Sequence, residues 1–166
     1  IFATLFEVCF NKDTLSSIYS KEMLGADSLA YIQRPNEVLK GMGINFGDLG
    51  PEFNWDDTGV KAIRKDFVLQ SQFNRFKDLL GAIEAAKYIK PDQPHSKGYY
   101  LSRGHLSPNG DQPRLSWKKA TYFYINQVPQ WQILNSGIWN SVENAVREMA
   151  KNRDLIVTTG SHGQLA

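Results

Sequence analysis

Apolar and polar residues alternate near the start of the chain in a way that predicts short β-strands. Ile1–Phe10 is rich in β-branched and aromatic residues and favours a strand. Thr14–Leu24 fits either a short helix or a strand that pairs back, and its Thr, Ile and Tyr residues favour the strand. Leu29–Gln33 is a further candidate strand, which ends before Arg34 and Pro35.

Helical spacing dominates the middle of the chain. Apolar residues recur at near-helical intervals over Asp56–Leu79 and predict one or two helices, capped by Asp57 or Thr58. Ala82–Ile89 is a short helix candidate, followed by a Pro- and Gly-containing loop. Four glycines between positions 41 and 50 also predict a loop. No strand precedes them and no helix follows, so they are a weak indication of a phosphate-binding loop.

The second half reads as strand, turn, strand and helix. The predicted elements are, in order, a strand over Tyr99–Leu101, a turn-rich segment over Ser107–Arg114, a strand over Thr121–Val128, a helix over Ser136–Asn152 and a buried strand over Asp154–Thr159. The helix carries an apolar stripe of Ile138, Val142, Ala145, Val146 and Met149. Pro129 is expected to end the strand before it, because proline cannot donate to a ladder.

Composition changes this picture little. The 166 residues suit a single domain, and 42% hydrophobic with 22% charged residues is ordinary for a globular chain. A net charge of only +2 excludes a global positive field, so any phosphate binding must come from individually placed residues. No apolar run is long enough to span a membrane, so no membrane partner is expected.

Cys9 is the only cysteine and cannot form a disulfide within this sequence. In a secreted protein, a lone cysteine indicates a disulfide partner outside the sequence shown. The chain starts inside one apolar strand and stops just after another. We therefore expect one domain over residues 1–166 that is a fragment of a longer protein.

Several residues between Tyr100 and Glu143 are of the types that phosphodiester cleavage requires. They are Arg103, His105, Asn126, Asn135 and Glu143. A histidine can take a proton from water near neutral pH, an amide oxygen can bind a hard cation, and an arginine can hold phosphate. Each residue alone has an ordinary alternative. Asn135 could simply cap a helix, and Glu143 with Arg147 could be a surface ion pair. His95 and His162 are interpreted as ordinary surface or core residues.

The stretch from Tyr99 to Gly160 closely resembles the sugar-non-specific DNA/RNA endonucleases of the β-β-α-metal type. The motifs are SRGHLSP at 102–108, INQVPQ at 125–130 and LNSGIWNSVE at 134–143. PQWQ and the LFEVCF segment near the start are most similar to the arthropod branch of secreted digestive or double-stranded-RNA-degrading nucleases. The resemblance implies an α+β fold, with a central antiparallel sheet, flanking helices and a β-β-α metal finger.

The resemblance also implies a role for each residue. His105 matches the general base, Arg103 a phosphate-binding residue and Asn126 a supporting residue. Asn135 matches the direct ligand of one Mg²⁺, for which Mn²⁺ can substitute, and Glu143 matches the carboxylate that binds the metal's waters. Arg147 matches a further phosphate-side arginine. The family's transition-state arginine has no clear counterpart, and Arg34 is our candidate with Arg75 as its rival. The family's leading Asp is replaced by Ser102, so the orientation of Arg103 could differ.

The predicted function is therefore Mg²⁺-dependent hydrolysis of DNA and RNA that leaves 5′-phosphates. Two alternatives remain open at this point. One is a catalytically silent relative that binds nucleic acid or protein, and the other is a structural fragment of a larger secreted protein. The arthropod resemblance favours secretion, and a mitochondrial location is the alternative.

Overall fold

The computed structural model of the protein describes residues 5–11, 13–14, 16–26, 63–93 and 97–163. Some predictions lie outside this part of the chain: the strand over 29–33, the glycine loop over 41–50, the caps Asp57 and Thr58, Arg34 and His95. The chain divides into two compact units. The first unit contains 1–42, 105–128 and 141–166, and the second contains 43–104 and 129–140.

The described elements are the strands β1 (Glu7–Asn11), β2 (Ser16–Leu24), β3 (Leu101–His105), β4 (Gln127–Trp131) and β5 (Leu155–Gly160), with the helices α1 (Leu69–Leu80), α2 (Ala82–Tyr88), α3 (Leu115–Ala120) and α4 (Asn140–Ala150). Short 3₁₀ turns cover Asn109–Asp111 and Tyr124–Asn126. The mixture of helices with antiparallel strands confirms the predicted α+β class. No helix in the described part of the chain is long and apolar enough to cross a membrane.

The first unit is built on an antiparallel sheet in the order β1-β2-β5. The strand interpretation of Thr14–Leu24 is confirmed by β2, and β1 confirms the end of the first predicted strand. The prediction that Asp154–Thr159 is a buried strand is wrong about burial. Residues along β5 alternate between half-buried and exposed, and Ile156 is 70% exposed, because only one face of this edge strand packs inward.

The inward face of β2 is unusually polar. Ser17, Ser20 and Glu22 are buried on it together with Leu24. A buried polar group must find a hydrogen-bond partner, and Ser17 Oγ donates to the carbonyl of Ile125. This face of β2 therefore meets backbone and polar side chains of the segment that follows β3.

The predicted strand over Thr121–Val128 is wrong in its boundaries. Thr121 and Tyr122 form a turn, Tyr124–Asn126 is a 3₁₀ turn, and strand pairing covers Gln127–Trp131. Pro129 lies inside β4 instead of ending it. A proline is tolerated there because β4 pairs only with β3 among the described strands, which leaves its other edge unpaired in that part of the chain.

The second unit packs two helices beside the paired strands β3 and β4. Gly81 separates α1 from α2 with a φ of 82°, a conformation that favours glycine. The rings of Phe76, Tyr88 and Trp131 form a cluster with centroids 5.9 to 6.3 Å apart. The predicted helix over Ala82–Ile89 is confirmed by α2.

Strand β3 begins later than predicted. It starts at Leu101 and not at Tyr99, because Tyr100 N donates to Gly98 O in a turn with a φ of 73° at Gly98. Gln72 of α1 fixes the start of the strand. Its Nε2 donates to Leu101 O at 2.9 Å and its Oε1 accepts from Leu101 N at 2.8 Å.

The predicted helix over Ser136–Asn152 is confirmed over Asn140–Ala150, but helical turns begin already at Gln132. A kink at Gly137, with φ −101° and ψ −108°, separates the two parts. The predicted apolar stripe is largely exposed. Ile138, for example, is 72% exposed.

Candidate active site

The imidazole of His105 packs against the ring of Tyr122 in the first unit. The two ring centroids are 5.1 Å apart and the planes cross at 87°, an edge-to-face contact. The residue after His105 is fixed as well, because Leu106 N donates to Asn126 O at 2.9 Å. Both the ring and the backbone of His105 are therefore held in place, as a precise proton-transfer site requires.

Asn126 is fully buried, and all its described hydrogen bonds go to backbone. Its Nδ2 donates to Ser107 O at 2.9 Å and to Thr121 O at 3.0 Å, while its Oδ1 accepts from Ser107 N at 2.9 Å. These contacts fix the chain two residues beyond His105. Its supporting role at the site stays a prediction.

Arg103 lies on β3 in the second unit, where its guanidinium carbon is 5.7 Å from the centroid of the Phe67 ring. Such a position gives a weak cation–π contact and leaves the N–H groups at the guanidinium edge able to bind an anion. None of the ion pairs in the described part of the chain includes Arg103.

Gly104 is required by packing against β4. A Cβ atom at this position would lie 2.4 Å from Gln130 Oε1 and 2.8 Å from Gln130 Cβ. The Gln130 side chain therefore approaches the backbone of β3 closely at this glycine.

Ser102 connects β3 with Asn135 in the second unit. The serine Oγ donates to Gln130 O at 2.9 Å and lies 3.2 Å from Asn135 Nδ2, which donates to it. Because the amide nitrogen donates to Ser102, Oδ1 is the atom of this amide that could bind a cation. An amide oxygen is a hard donor of the type that Mg²⁺ accepts.

Glu143 and Arg147 form the ion pair that their spacing on α4 predicts, with Nη2 of the arginine 3.2 Å from Glu143 Oε2. The pair is largely buried and extends further. Arg147 Nε donates to Asp111 Oδ1, and Nη1 donates to Asn144 Oδ1 at 2.9 Å. The guanidinium therefore uses three of its nitrogen atoms on neighbours within the first unit.

Sequence reasoning missed the acidic pair Glu22 and Asp111. The pKa of Glu22 is raised from 4.5 to about 8, chiefly by burial, and the charge of Asp111 contributes to this rise. Burial also raises the pKa of Asp111, while Arg147 opposes that shift. One signal was present in the sequence, since Glu22 lies on the same side of β2 as Ser20 and Leu24.

The predicted site residues are divided between the two units. His105, Asn126, Glu143 and Arg147 belong to the first, and Arg103 and Asn135 belong to the second. Arg75, the rival transition-state arginine, also belongs to the second and forms an exposed ion pair with Asp66 at 3.2 Å.

No group of three or more His, Cys, Asp or Glu side chains suited to a metal occurs among the described residues. A site built on one amide oxygen and water does not need such a group, because Mg²⁺ retains several waters. The orientation of Asn135 fits that kind of site. Cys9 is a free, half-buried thiol.

Comparison with known proteins identifies the family. The model of the DNA/RNA non-specific endonuclease family matches residues 1–166. The chain belongs to this family. The likeness predicted from the SRGH, INQVPQ and LNSGIWNSVE motifs is therefore confirmed.

Two relatives of this chain carry salivary names. The salivary endonuclease of Lutzomyia longipalpis is 30% identical over 99% of this chain and 36% of its own length. The salivary protein Tsal1 of Glossina morsitans morsitans is 26% identical over 97% of this chain and 36% of its own length. The chain thus spans about a third of the length of these relatives.

A solved structure supports the fold. The EndoG/EndoGI complex contains a chain that matches 96% of this one and 51% of its own length, with a TM-score of 0.57 and 18% identity. At this identity the match speaks for the fold alone.

Proposed function

We propose that this chain carries the catalytic centre of a Mg²⁺-dependent endonuclease that cleaves both DNA and RNA without regard to the sugar. The observation that carries the proposal is the hydrogen bond between Asn135 and Ser102 at 3.2 Å. It holds the amide of Asn135 beside Ser102, the residue that precedes Arg103 on β3.

Each residue has a defined chemical task. Neutral His105 takes the proton from the attacking water, and Arg103 binds the phosphate and offsets its negative charge. Asn135 Oδ1 would hold Mg²⁺ directly and Glu143 would hold its waters, with Mn²⁺ able to replace Mg²⁺. When bound, the metal would stabilise the negative charge on the departing 3′ oxygen. Breaking the bond between phosphorus and this oxygen leaves a 3′-hydroxyl on one product and a 5′-phosphate on the other.

Phosphate recognition has consequences for specificity. Contacts to phosphates carry no base information, so we propose little sequence preference and strong sensitivity to salt. Arg147 is the candidate for a further phosphate contact, and Arg34 remains the candidate for the transition-state arginine. The salivary names of the relatives support secretion of this protein.

The function is tested by incubating the purified chain with supercoiled plasmid and with RNA, in Mg²⁺ or in EDTA. We expect both substrates to be degraded in Mg²⁺, with no cleavage in EDTA and recovery when excess Mg²⁺ or Mn²⁺ is returned. Product ends should accept a radioactive phosphate from polynucleotide kinase only after phosphatase treatment. Binding of both substrates without cleavage would favour the catalytically silent alternative.

Removal of the Ser102 hydroxyl should weaken metal binding. We expect Ser102→Ala to raise the Mg²⁺ concentration for half-maximal cleavage by about 10-fold, because loss of an outer partner of a metal ligand costs roughly 10- to 100-fold. Ser102→Asp restores an acceptor for Asn135 Nδ2 and should recover most of the loss. A Mg²⁺ titration that is the same for Ser102→Ala and wild type would argue against this role.

A further inference from the structure

A buried row of charged side chains runs through the first unit behind Glu143. Arg147 lies in its centre, between Glu143 Oε2 at 3.2 Å and Asp111 Oδ1. The Asp111 side chain is only 3% exposed and that of Arg147 is 18% exposed. Charges removed from water to this extent must be paired and hydrogen-bonded. Asp111 therefore fixes the arginine from the side opposite Glu143.

Glu22 continues the row on β2. Its Oε2 accepts hydrogen bonds from Ser107 Oγ and from Gln112 Nε2, the latter at 2.8 Å. Its Oε1 is buried and has no hydrogen-bond donor among the described residues. Asp111 directly precedes Gln112, whose side chain donates to Glu22, and the charge of Asp111 contributes to raising the pKa of Glu22. Two neighbouring buried carboxyl groups favour one shared proton over two negative charges.

The proton belongs on Glu22. The pKa of Glu22 is raised to about 8, chiefly by burial, whereas the cations of Arg147 and Lys118 oppose the rise that burial causes in the pKa of Asp111. Along the row, Glu22 is neutral, Asp111 is negatively charged and Arg147 is positively charged, and Glu143 follows at the end.

The backbone of Gly110 packs closely against the guanidinium of Arg147. A Cβ atom on Gly110 would lie 2.6 Å from Arg147 Nη2 and 2.8 Å from its Cζ. An added methyl group would therefore displace Arg147 without removing any charge. Within the turn Asn109–Asp111, Gly110 packs against the arginine and Asp111 pairs with its charge.

We propose that Glu22, Asp111 and Gly110 are positioning residues that fix Arg147 and, through it, the orientation of the Glu143 carboxylate. This inference rests on the proposed function, which gives Glu143 its task at the metal. It assigns Arg147 to Glu143, in place of the phosphate contact that the family resemblance implies for this arginine. It also explains why a protein would bury two carboxyl groups in contact, since the pair holds a single negative charge directly behind the arginine.

The test compares Asp111→Asn and Gly110→Ala with wild type in steady-state cleavage over a range of Mg²⁺ concentrations. We expect both variants to lower kcat by about 10- to 100-fold and to raise the Mg²⁺ requirement, with KM for the nucleic acid nearly unchanged. Gly110→Ala matters because it perturbs Arg147 while every carboxylate remains. Circular dichroism and thermal unfolding establish that each variant is folded.

Two further variants separate positioning from simple stabilisation. Glu22→Gln keeps the shape and can donate to Asp111 from its amide nitrogen, so it should recover most of the activity that Glu22→Ala loses. Glu148→Gln is the matched control, because Glu148 lies on the same helix and forms an exposed ion pair with Lys151 at 2.6 Å. Its kcat should equal that of wild type.

The outcomes distinguish this inference from the proposed function. Folded Asp111→Asn and Gly110→Ala with wild-type kcat and Mg²⁺ requirement would overturn the positioning role while wild-type cleavage upholds the nuclease. A rise in KM at constant kcat would overturn it too, and would assign Arg147 to phosphate binding. A wild-type chain inactive in Mg²⁺ would remove the proposed function and, with it, the task assigned to Glu143.

Discussion

Replacement of His105 by alanine is expected to lower the rate of DNA and RNA cleavage by about 10²- to 10⁴-fold, the usual contribution of a general base. The fold should survive, because His105 is half-buried and the backbone bond from Leu106 to Asn126 does not involve its side chain. The measurement is kcat/KM on plasmid and on RNA at saturating Mg²⁺.

His162 provides a matched control for this experiment. It is exposed at the end of β5 and has no part in the proposed chemistry, so His162→Ala should cleave at the wild-type rate. If folded His105→Ala retained the wild-type rate as well, the proton acceptor would have to be another group and the assignment of the base would fail.

The local patterns that predicted the fold correctly are those in which one face of an element packs inward. β2 was predicted as a strand and is one, with alternate burial along most of its length. α2 was predicted from a short run of helix-forming residues and spans nearly the predicted residues. In both cases local preference and tertiary packing agree.

The segment over 121–131 shows where local patterns fail. Tyr122, Tyr124 and Asn126 alternate as on the face of a strand and all three are buried. Their burial comes from turns, because the amide of Asn126 bonds to the backbone at Ser107 and Thr121 and stabilises a compact connection. Side-chain bonds to distant backbone cannot be inferred from alternation. The short helix α3 was not predicted for a related reason. Its Lys118 is buried and donates to Asn109 O at 3.0 Å, a contact that the apolar pattern does not indicate.

The candidate site was predictable only in part. The spacing of Glu143 and Arg147 predicted their ion pair, which the structure contains, whereas the roles that motif likeness gives to His105, Asn135 and Glu143 stay predictions. The group behind them was not predictable, because Glu22 and Asp111 are far apart in the chain and meet only when β2 packs against the turn after β3. Ser102 looked like a departure from the family motif. The hydroxyl at this position forms hydrogen bonds with both Gln130 and Asn135.

Titration of Glu22 should make the stability of the protein fall as the pH rises through neutrality. The pKa of this carboxyl is raised from 4.5 to about 8 on folding, chiefly by burial. Between these two values the folded state binds more protons than the unfolded state, so the free energy of unfolding decreases with pH. The contribution is fully present below about pH 4.5 and is lost by about pH 8. Because a single proton is involved, the free energy of unfolding changes by at most about 1.4 kcal/mol per pH unit.

Glu22→Gln isolates this effect because its amide does not titrate in that range but can preserve the hydrogen bonds from Ser107 and Gln112. Urea unfolding of wild type and variant at several pH values from 5 to 9 should show wild type losing stability relative to Glu22→Gln as the pH rises. The difference should stop growing near pH 8. Glu148→Gln, at an exposed ion pair, should give a curve parallel to wild type. A Glu22→Gln curve that is also parallel would mean that Glu22 is already ionised at neutral pH. Asp111 and Glu22 would then be two buried anions facing Arg147 and Lys118, and the single-charge arrangement behind Glu143 would be excluded.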